Sequence, residues 1–525
     1  MKKYIMTIDE GTTGIRAIIF NHDGNIVSRG YTEVSQIFPR SGWCEQSGED
    51  VWKKCKEVMK ASLRNEEINA NEIESIGIAT QRSTNLLWDR QTGKPVYNAI
   101  TWQDSRASEM CKEMDRKIKM RAIRGLGKFT KETSKIFKVI RKTNSGARLI
   151  STSGLSFTPA SSLSHIRWIL DNVDQAKERA QRGNLVCGTM DTWLIWNLTS
   201  GKVHATDFSN ASATGMFDPF TLKWSGSMLD LFNIPRSILP EVRETSGDFG
   251  TVDRSIIGVE IPIQSAVADQ QSALFAEGCF NPGDVKCTHG TGSFIDMNVG
   301  HRPPASLHKL LPLIAWKING KVTYMLEGMV NTTGSSIQWL RDNLTIIKNV
   351  EDSEKMAETF EDTCGVYFVP AFTGLSSPYW DPHACGIVVG LSRKTKKEHL
   401  VRSALEGIVY RCKDVLIAME IDSDLSISSL KADGGASRNN FLLQFMADVL
   451  NIKVERSKIL EGTALGAAYL AGLASGYWES KDEIIKGRKV DKIFEPSMDE
   501  EKRRRLYKGW KEAIERSFRW EDHSL

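Results

Sequence analysis

The feature that most constrains this chain is a β-hairpin signature that occurs twice, roughly half a chain apart. Near the start, Tyr4-Ile5-Met6-Thr7-Ile8-Asp9 leads into Glu10-Gly11-Thr12-Thr13-Gly14, and an apolar run resumes at Ala17-Ile18-Ile19-Phe20. Downstream, Asp284-Val285-Lys286-Cys287-Thr288 leads into His289-Gly290-Thr291-Gly292, and the strand resumes at Ile295-Asp296-Met297. A turn of Gly and Thr offers backbone N–H groups and hydroxyls in a concavity suited to phosphate oxygens. Two such hairpins, each opening about half of the sequence, predict two related α/β lobes that close on one nucleotide.

Composition sets the limits. At 525 residues the chain exceeds a single core, and 41% hydrophobic with 26% charged is ordinary globular material. A net charge of +4 over that length gives no reason to expect a nucleic-acid partner. No run of about 18 apolar residues occurs, and the opening Met1-Lys2-Lys3-Tyr4 carries no apolar signal stretch. Nine cysteines, an odd number without a C-x-x-C pair, fit reduced thiols better than a disulfide frame or a zinc site. A soluble, cytoplasmic protein is the expectation.

Strand and helix patterns alternate through residues 1–110, 184–278 and 365–475, which indicates α/β layering. Turns at Gly278 and Asn281-Pro282-Gly283 predict a division into lobes 1–279 and 280–525. The stretch 115–150 differs. Between Arg116 and Arg148 stand twelve Lys or Arg against one acid, Glu132, with Ile136, Phe137, Val139 and Ile140 interleaved. A solvated insertion is the primary reading; contact with an anionic membrane surface or a partner through 116–148 is the alternative.

Four segments are candidates for chemistry. Asp9, at a strand end beside Gly11-Thr12-Thr13, suits a Mg²⁺ ion next to phosphate, though an Asp-initiated turn reads equally well. Gly290-Thr291-Gly292 is its counterpart. Asp269, between an apolar strand and a helix, is either an N-cap or a base that takes a hydroxyl proton. Gly434-Gly435 ahead of Asn439 leaves room for a flat ring, or is simply a flexible connection. No G-x-x-x-x-G-K-[ST] and no strand–G-x-G-x-x-G–helix unit is present, and no H-E-x-x-H.

Taken with Gln81-Arg82, Thr101-Trp102-Gln103 and the long run from Gly386-Ile387-Val388-Val389-Gly390-Leu391 to His399-Leu400-Val401-Arg402-Ser403-Ala404-Leu405-Glu406, these segments resemble the FGGY carbohydrate kinases. The similarity is nearest to the glycerol kinase branch, and within it to a divergent paralogue of animals. It covers nearly the whole chain except about 115–150.

The resemblance implies a two-lobed actin/sugar-kinase/Hsp70-like (ribonuclease H-like) α/β fold and ATP-dependent phosphorylation of glycerol to glycerol 3-phosphate, with ATP and Mg²⁺ as cofactors. It implies that Asp269 is the catalytic base and that Asp9 and Asp269 hold the metal. Thr12, Thr13, Arg16 and Thr291 would contact phosphates, Gly334 and Gln338 the nucleotide, and Gly435 and Asn439 the adenine. Arg82, Ser83, Trp102, Asp269, Gln270 and Phe294 would line a pocket for a small polyol. A homo-oligomer is expected. Three positions depart from the family pattern: Ser83 stands where a glutamate is usual, Ala160 where a tyrosine is, and His165 where a lysine is. Ser83 and Ala160 keep open a larger sugar or polyol as acceptor; a nucleotide-binding scaffold without kinase activity is the remaining alternative.

Overall fold

A computed structural model describes residues 2–458 and 461–520. Two mixed sheets organise it. The first contains β1 (Tyr4–Glu10), β2 (Gly14–Phe20), β3 (Ile26–Glu33), β4 (Ile73–Thr80) and β5 (Ile261–Ala268) in the order β3-β2-β1-β4-β5, with a short edge strand Thr251–Val252 beyond β5. The second contains β6 (Val285–His289), β7 (Ser293–Gly300), β8 (Leu311–Ile318), β9 (Lys321–Val330), β10 (Ser429–Asp433), β11 (Lys453–Ser457) and β12 (Val490–Phe494) in the order β8-β9-β7-β6-β10-β11-β12.

Both sheets are built alike. An antiparallel hairpin (β1/β2, β6/β7) leads, and its first strand then pairs in parallel with a later one (β4, β10), which pairs in parallel with a third (β5, β11). The central strands β1 and β4 are buried along nearly their whole length, as continuous apolar runs in parallel pairing require, whereas β3 at the edge mixes buried and exposed positions.

The basic stretch 115–150 forms a helix, α1 (Ile118–Ile136), and α2 (Asn144–Thr152), joined by a short 3₁₀ segment Lys138–Lys142. After β5 the chain turns directly into α3 (Asp269–Ala276). The long α4 (Lys397–Ser423) backs the second sheet, and α5 (Gly462–Ser475) crosses to pack on β4, β5 and α3.

Two glycines permit that crossing. A Cβ at Gly466 would lie 1.9 Å from the Ser272 carbonyl oxygen, and one at Gly77 would lie 2.3 Å from that of Ala467. The result is a shared core in which Ile5, Ile18, Val267 and Phe275 meet Trp316, Leu465 and Ala468. The closing helix Glu500–Glu515, which its charge suggests lies on the outside, in fact buries Trp510, Ala513 and Ile514. Its Trp510 Nε1–H and Tyr507 O–H donate to the two oxygens of Asp414 at 3.0 and 2.7 Å.

Candidate active site

The first hairpin presents its chemistry at the strand end. Asp9 and Arg16 face each other across β1 and β2, with Arg16 Nε 3.2 Å from Asp9 Oδ2. Arg16 also pairs with Glu461, directly ahead of α5, so one guanidinium links the hairpin to the helix that crosses from the other lobe. Burial pushes the Asp9 carboxyl up to about 6, with Glu461 and Asp269 adding to the shift and Arg16 opposing it. Asp9 and Asp269 therefore share one electrostatic field.

The two turns are closed in the same way. Gly11 N–H donates to the Gly14 carbonyl at 2.9 Å, and Gly290 N–H to that of Gly292 at 2.9 Å. Thr13 and Thr291 are exposed at the tips. Thr12 Oγ1 donates to Gln81 Oε1 at 3.1 Å and accepts from Trp102 Nε1–H at 3.0 Å. Gln81 in turn donates to Glu10 at 2.7 Å and to Gln46 at 2.9 Å, so a buried amide fixes the turn from below.

Asp269 is the first helical residue of α3, not its cap. Ala268 occupies the cap position, and Asp269 Oδ1 accepts the next N–H, from Gln270, at 2.7 Å. Arg82 lies beside it, Nε 3.4 Å from Asp269 Oδ1 and Nη1 2.6 Å from Glu327 Oε2. Burial raises the Glu327 carboxyl despite that partner, and the surrounding carboxylates hold Arg82 charged. Ser83 has φ +65°, and Thr84 N–H donates to the Arg82 carbonyl at 2.8 Å, which makes a γ-turn of the rarer, positive-φ kind. Such strain clusters at functional sites. The Ser83 hydroxyl donates to the Ala213 carbonyl at 3.1 Å, while Ser162 Oγ donates to the Ser83 carbonyl at 2.9 Å and so places the loop containing Ala160 nearby. Trp102 is 39% exposed and Phe294 half-buried. Gln270 Oε1 accepts from Lys286 Nζ at 2.9 Å. His165 is buried and held neutral, with its pKa lowered to about 4; its Nδ1 meets the Asn85 amide at 3.0 Å.

On the opposite side, Gly334 N–H donates to the Gly290 carbonyl at 3.0 Å, and a Cβ there would lie 2.6 Å from that oxygen. Only glycine lets the helix Gly334–Asp342, with Gln338 exposed on it, start against the turn. Gly434, at φ +87°, sits so close to His289 that a Cβ would be 2.5 Å from its carbonyl oxygen. Gly435 is exposed and faces open space. Asn439 is the N-cap of the helix Asn440–Leu450: Oδ1 accepts Leu442 N–H at 2.9 Å and Nδ2 donates to Ser353 at 3.2 Å. The residue expected at the adenine is thus a helix cap that already engages both ends of its amide.

Four residues that motif reading missed complete the site: Glu461, Glu327, Lys286 and Asp296. The last two gave a signal, a charged residue inside each of two apolar strand runs. The donor set also fits its implied ion. Asp9 and Asp269 supply hard carboxylate oxygens, as Mg²⁺ prefers, and the buried Asp433 Oδ1 and Glu10 Oε2 have no hydrogen-bond partner among the described residues. The exposed Gly-Thr tips and the open face of Gly435 suit a nucleotide's phosphates and ring.

Paired hairpins at the ends of two duplicated sheets, with an aspartate beside an arginine, define a two-lobed phosphotransferase of the sugar-kinase fold. Residues 4–130 and 128–276 match the amino-terminal domain of the FGGY family of carbohydrate kinases, and residues 285–475 its carboxy-terminal domain; the chain belongs to this family. It is 48% identical over 520 residues to a glycerol kinase of Caldanaerobacter subterraneus subsp. tengcongensis, covering 99% of each chain. The structure of Plasmodium falciparum glycerol kinase with ADP superposes at a TM-score of 0.88, with 33% identity and 98% of each chain covered. A gluconate kinase from Lactobacillus acidophilus, at 21% identity and a TM-score of 0.82 over 98% of this chain and 97% of that one, shares the fold.

Proposed function

We propose that this chain transfers the terminal phosphoryl group of ATP to a primary hydroxyl of glycerol, giving glycerol 3-phosphate. The observation that carries the reading is Asp269. Its carboxylate is spared from helix capping, lies 3.4 Å from Arg82 Nε, and stands in the same field as Asp9. Arg82, fixed by Glu327, holds an acceptor hydroxyl by its fork of N–H donors, while Trp102 and Phe294 pack the carbon skeleton. Asp269 takes the hydroxyl proton as the new O–P bond forms and the bond from the terminal phosphorus to the bridging oxygen breaks. Thr12, Thr13 and Thr291 hold phosphate oxygens, and Arg16 sets Asp9. Mg²⁺ held by Asp9 and Asp269 would neutralise phosphate charge.

The small side chains at Ser83 and Ala160 support a second reading, a larger polyol or sugar as acceptor. An ADP-release screen decides between them. Glycerol-dependent release is expected; turnover with tetritols or pentoses and none with glycerol would replace glycerol as the substrate, and none with any acceptor would leave a nucleotide-binding scaffold.

A further inference from the structure

We propose that the outward face of α1 docks this protein on an anionic membrane surface. On a helical projection α1 has two opposed stripes. Met120, Gly127 and Ser134 are buried against the protein, whereas Ile118, Ala122, Leu126, Phe129 and Ile136 run along the solvent side. Ile118 is 84% exposed, Phe129 70% and Ile136 78%, and the stripe continues into exposed Phe137 and Val139. From Ile118 to Ile136 it is about 27 Å long at the rise of an α-helix.

The inner face holds the helix firmly. A Cβ at Gly127 would lie 2.5 Å from Thr152 Oγ1, Arg124 Nε–H donates to the Leu155 carbonyl at 2.7 Å, and Lys131 donates to that of Leu307. Lys142 adds a 3.3 Å pair with Asp424, so the segment is anchored to residues of both lobes. The outer apolar stripe plays no part in this anchoring.

Charge selects the occupant. Exposed Lys119 flanks the stripe on one side and Arg121, Lys128 and Lys135 flank it on the other, within the stretch of twelve basic residues and one acid. An apolar ridge rimmed by Lys and Arg is how an amphipathic helix lies in a headgroup layer of negative charge. A second copy of the chain would bring the same cations face to face. Among the described residues no helix is long and apolar enough to cross a membrane, so the contact is peripheral.

The test uses the full chain and two vesicle preparations, phosphatidylcholine alone and phosphatidylcholine with phosphatidylglycerol. Co-sedimentation with the anionic vesicles is expected, at least about tenfold weaker with the neutral ones and at high salt. Leu126→Gln with Phe129→Gln, and separately Lys128→Gln with Lys135→Gln, should each weaken vesicle binding about tenfold, with glycerol-dependent ADP release in solution and far-ultraviolet circular dichroism unchanged. The proposal is overturned if the wild-type chain stays in the supernatant at low salt, or if the apolar double variant binds as well as wild type. Equal binding to soluble polyglutamate that ignores Leu126 and Phe129 would also overturn it. So would loss of a self-associated species in the apolar variant without any loss of vesicle binding.

Discussion

Lys286 Nζ lies 2.8 Å from Asp296 Oδ2 on paired strands, and neither side chain has any solvent exposure. The ammonium also donates to Thr288 Oγ1 and Gln270 Oε1, both at 2.9 Å, so a buried ion pair aims a residue of the proposed acceptor pocket. Asp296 and Asp433 together hold the lysine charged against the cost of burial. Breaking one side of such a pair costs about 3–5 kcal/mol, whereas replacing both with apolar groups is often near neutral. Asp296→Leu is therefore expected to lower unfolding free energy by about that amount, and Lys286→Met with Asp296→Leu to recover only part of it, because the buried Asp433 then loses its cation. Urea denaturation of the two singles and the double measures the coupling. The double variant should still show a raised acceptor KM, because Gln270 has lost its anchor.

Asp269→Asn keeps the shape of the site and removes the proton acceptor. Turnover with any acceptor should fall by about 10²–10⁴-fold. ATP affinity, read by calorimetry, should change little, because the phosphate-facing turns and Gly435 are untouched. Near-normal turnover would take Asp269 out of the proposed role.

What the sequence made legible was local. Each hairpin carries its strand, turn and strand in one short run, and Asp269 lies at a strand–helix switch, so both could be read directly. Contacts made by strand register or between lobes were not legible. Lys286 meets Asp296 only because β6 and β7 pair in one register, and Glu327 reaches Arg82 from the other lobe. Asn439 shows the converse: a polar residue ahead of an apolar helix is first a cap, whatever else it touches.

Asp9 links the site to pH. Its carboxyl is raised from 3.8 to about 6, so the folded chain binds more protons there than the unfolded chain between those values. Stability contributed by this group is thus full below about pH 4, is lost as pH rises towards 6, and is level above. Asp9→Asn should flatten that slope and raise the melting temperature of the ligand-free protein near neutrality, by at most about 3 kcal/mol in stability. Activity has the opposite sense. Below about pH 6 Asp9 is protonated, so kcat/KM for ATP should fall on the acid side, and excess Mg²⁺ should move that fall to lower pH. Differential scanning fluorimetry and initial rates across pH 5–8 check both.

Ser83 is where the acceptor pocket is most open to redesign. Its left-handed backbone, φ +65°, and the hydrogen bond from Thr84 N–H to the Arg82 carbonyl set the turn by main-chain contacts. Ser83→Gly removes the strain of a Cβ at positive φ and should stabilise the chain by up to about 1 kcal/mol, less what the lost bond to the Ala213 carbonyl contributed. Ser83→Glu places a carboxylate beside Arg82, where it can accept from an acceptor hydroxyl. A charge-assisted hydrogen bond contributes about 1.5–3 kcal/mol, so KM for glycerol should fall by at least about tenfold with kcat little changed. If glycerol KM instead rises while a tetritol is unaffected, the wild-type pocket is shaped for the longer acceptor.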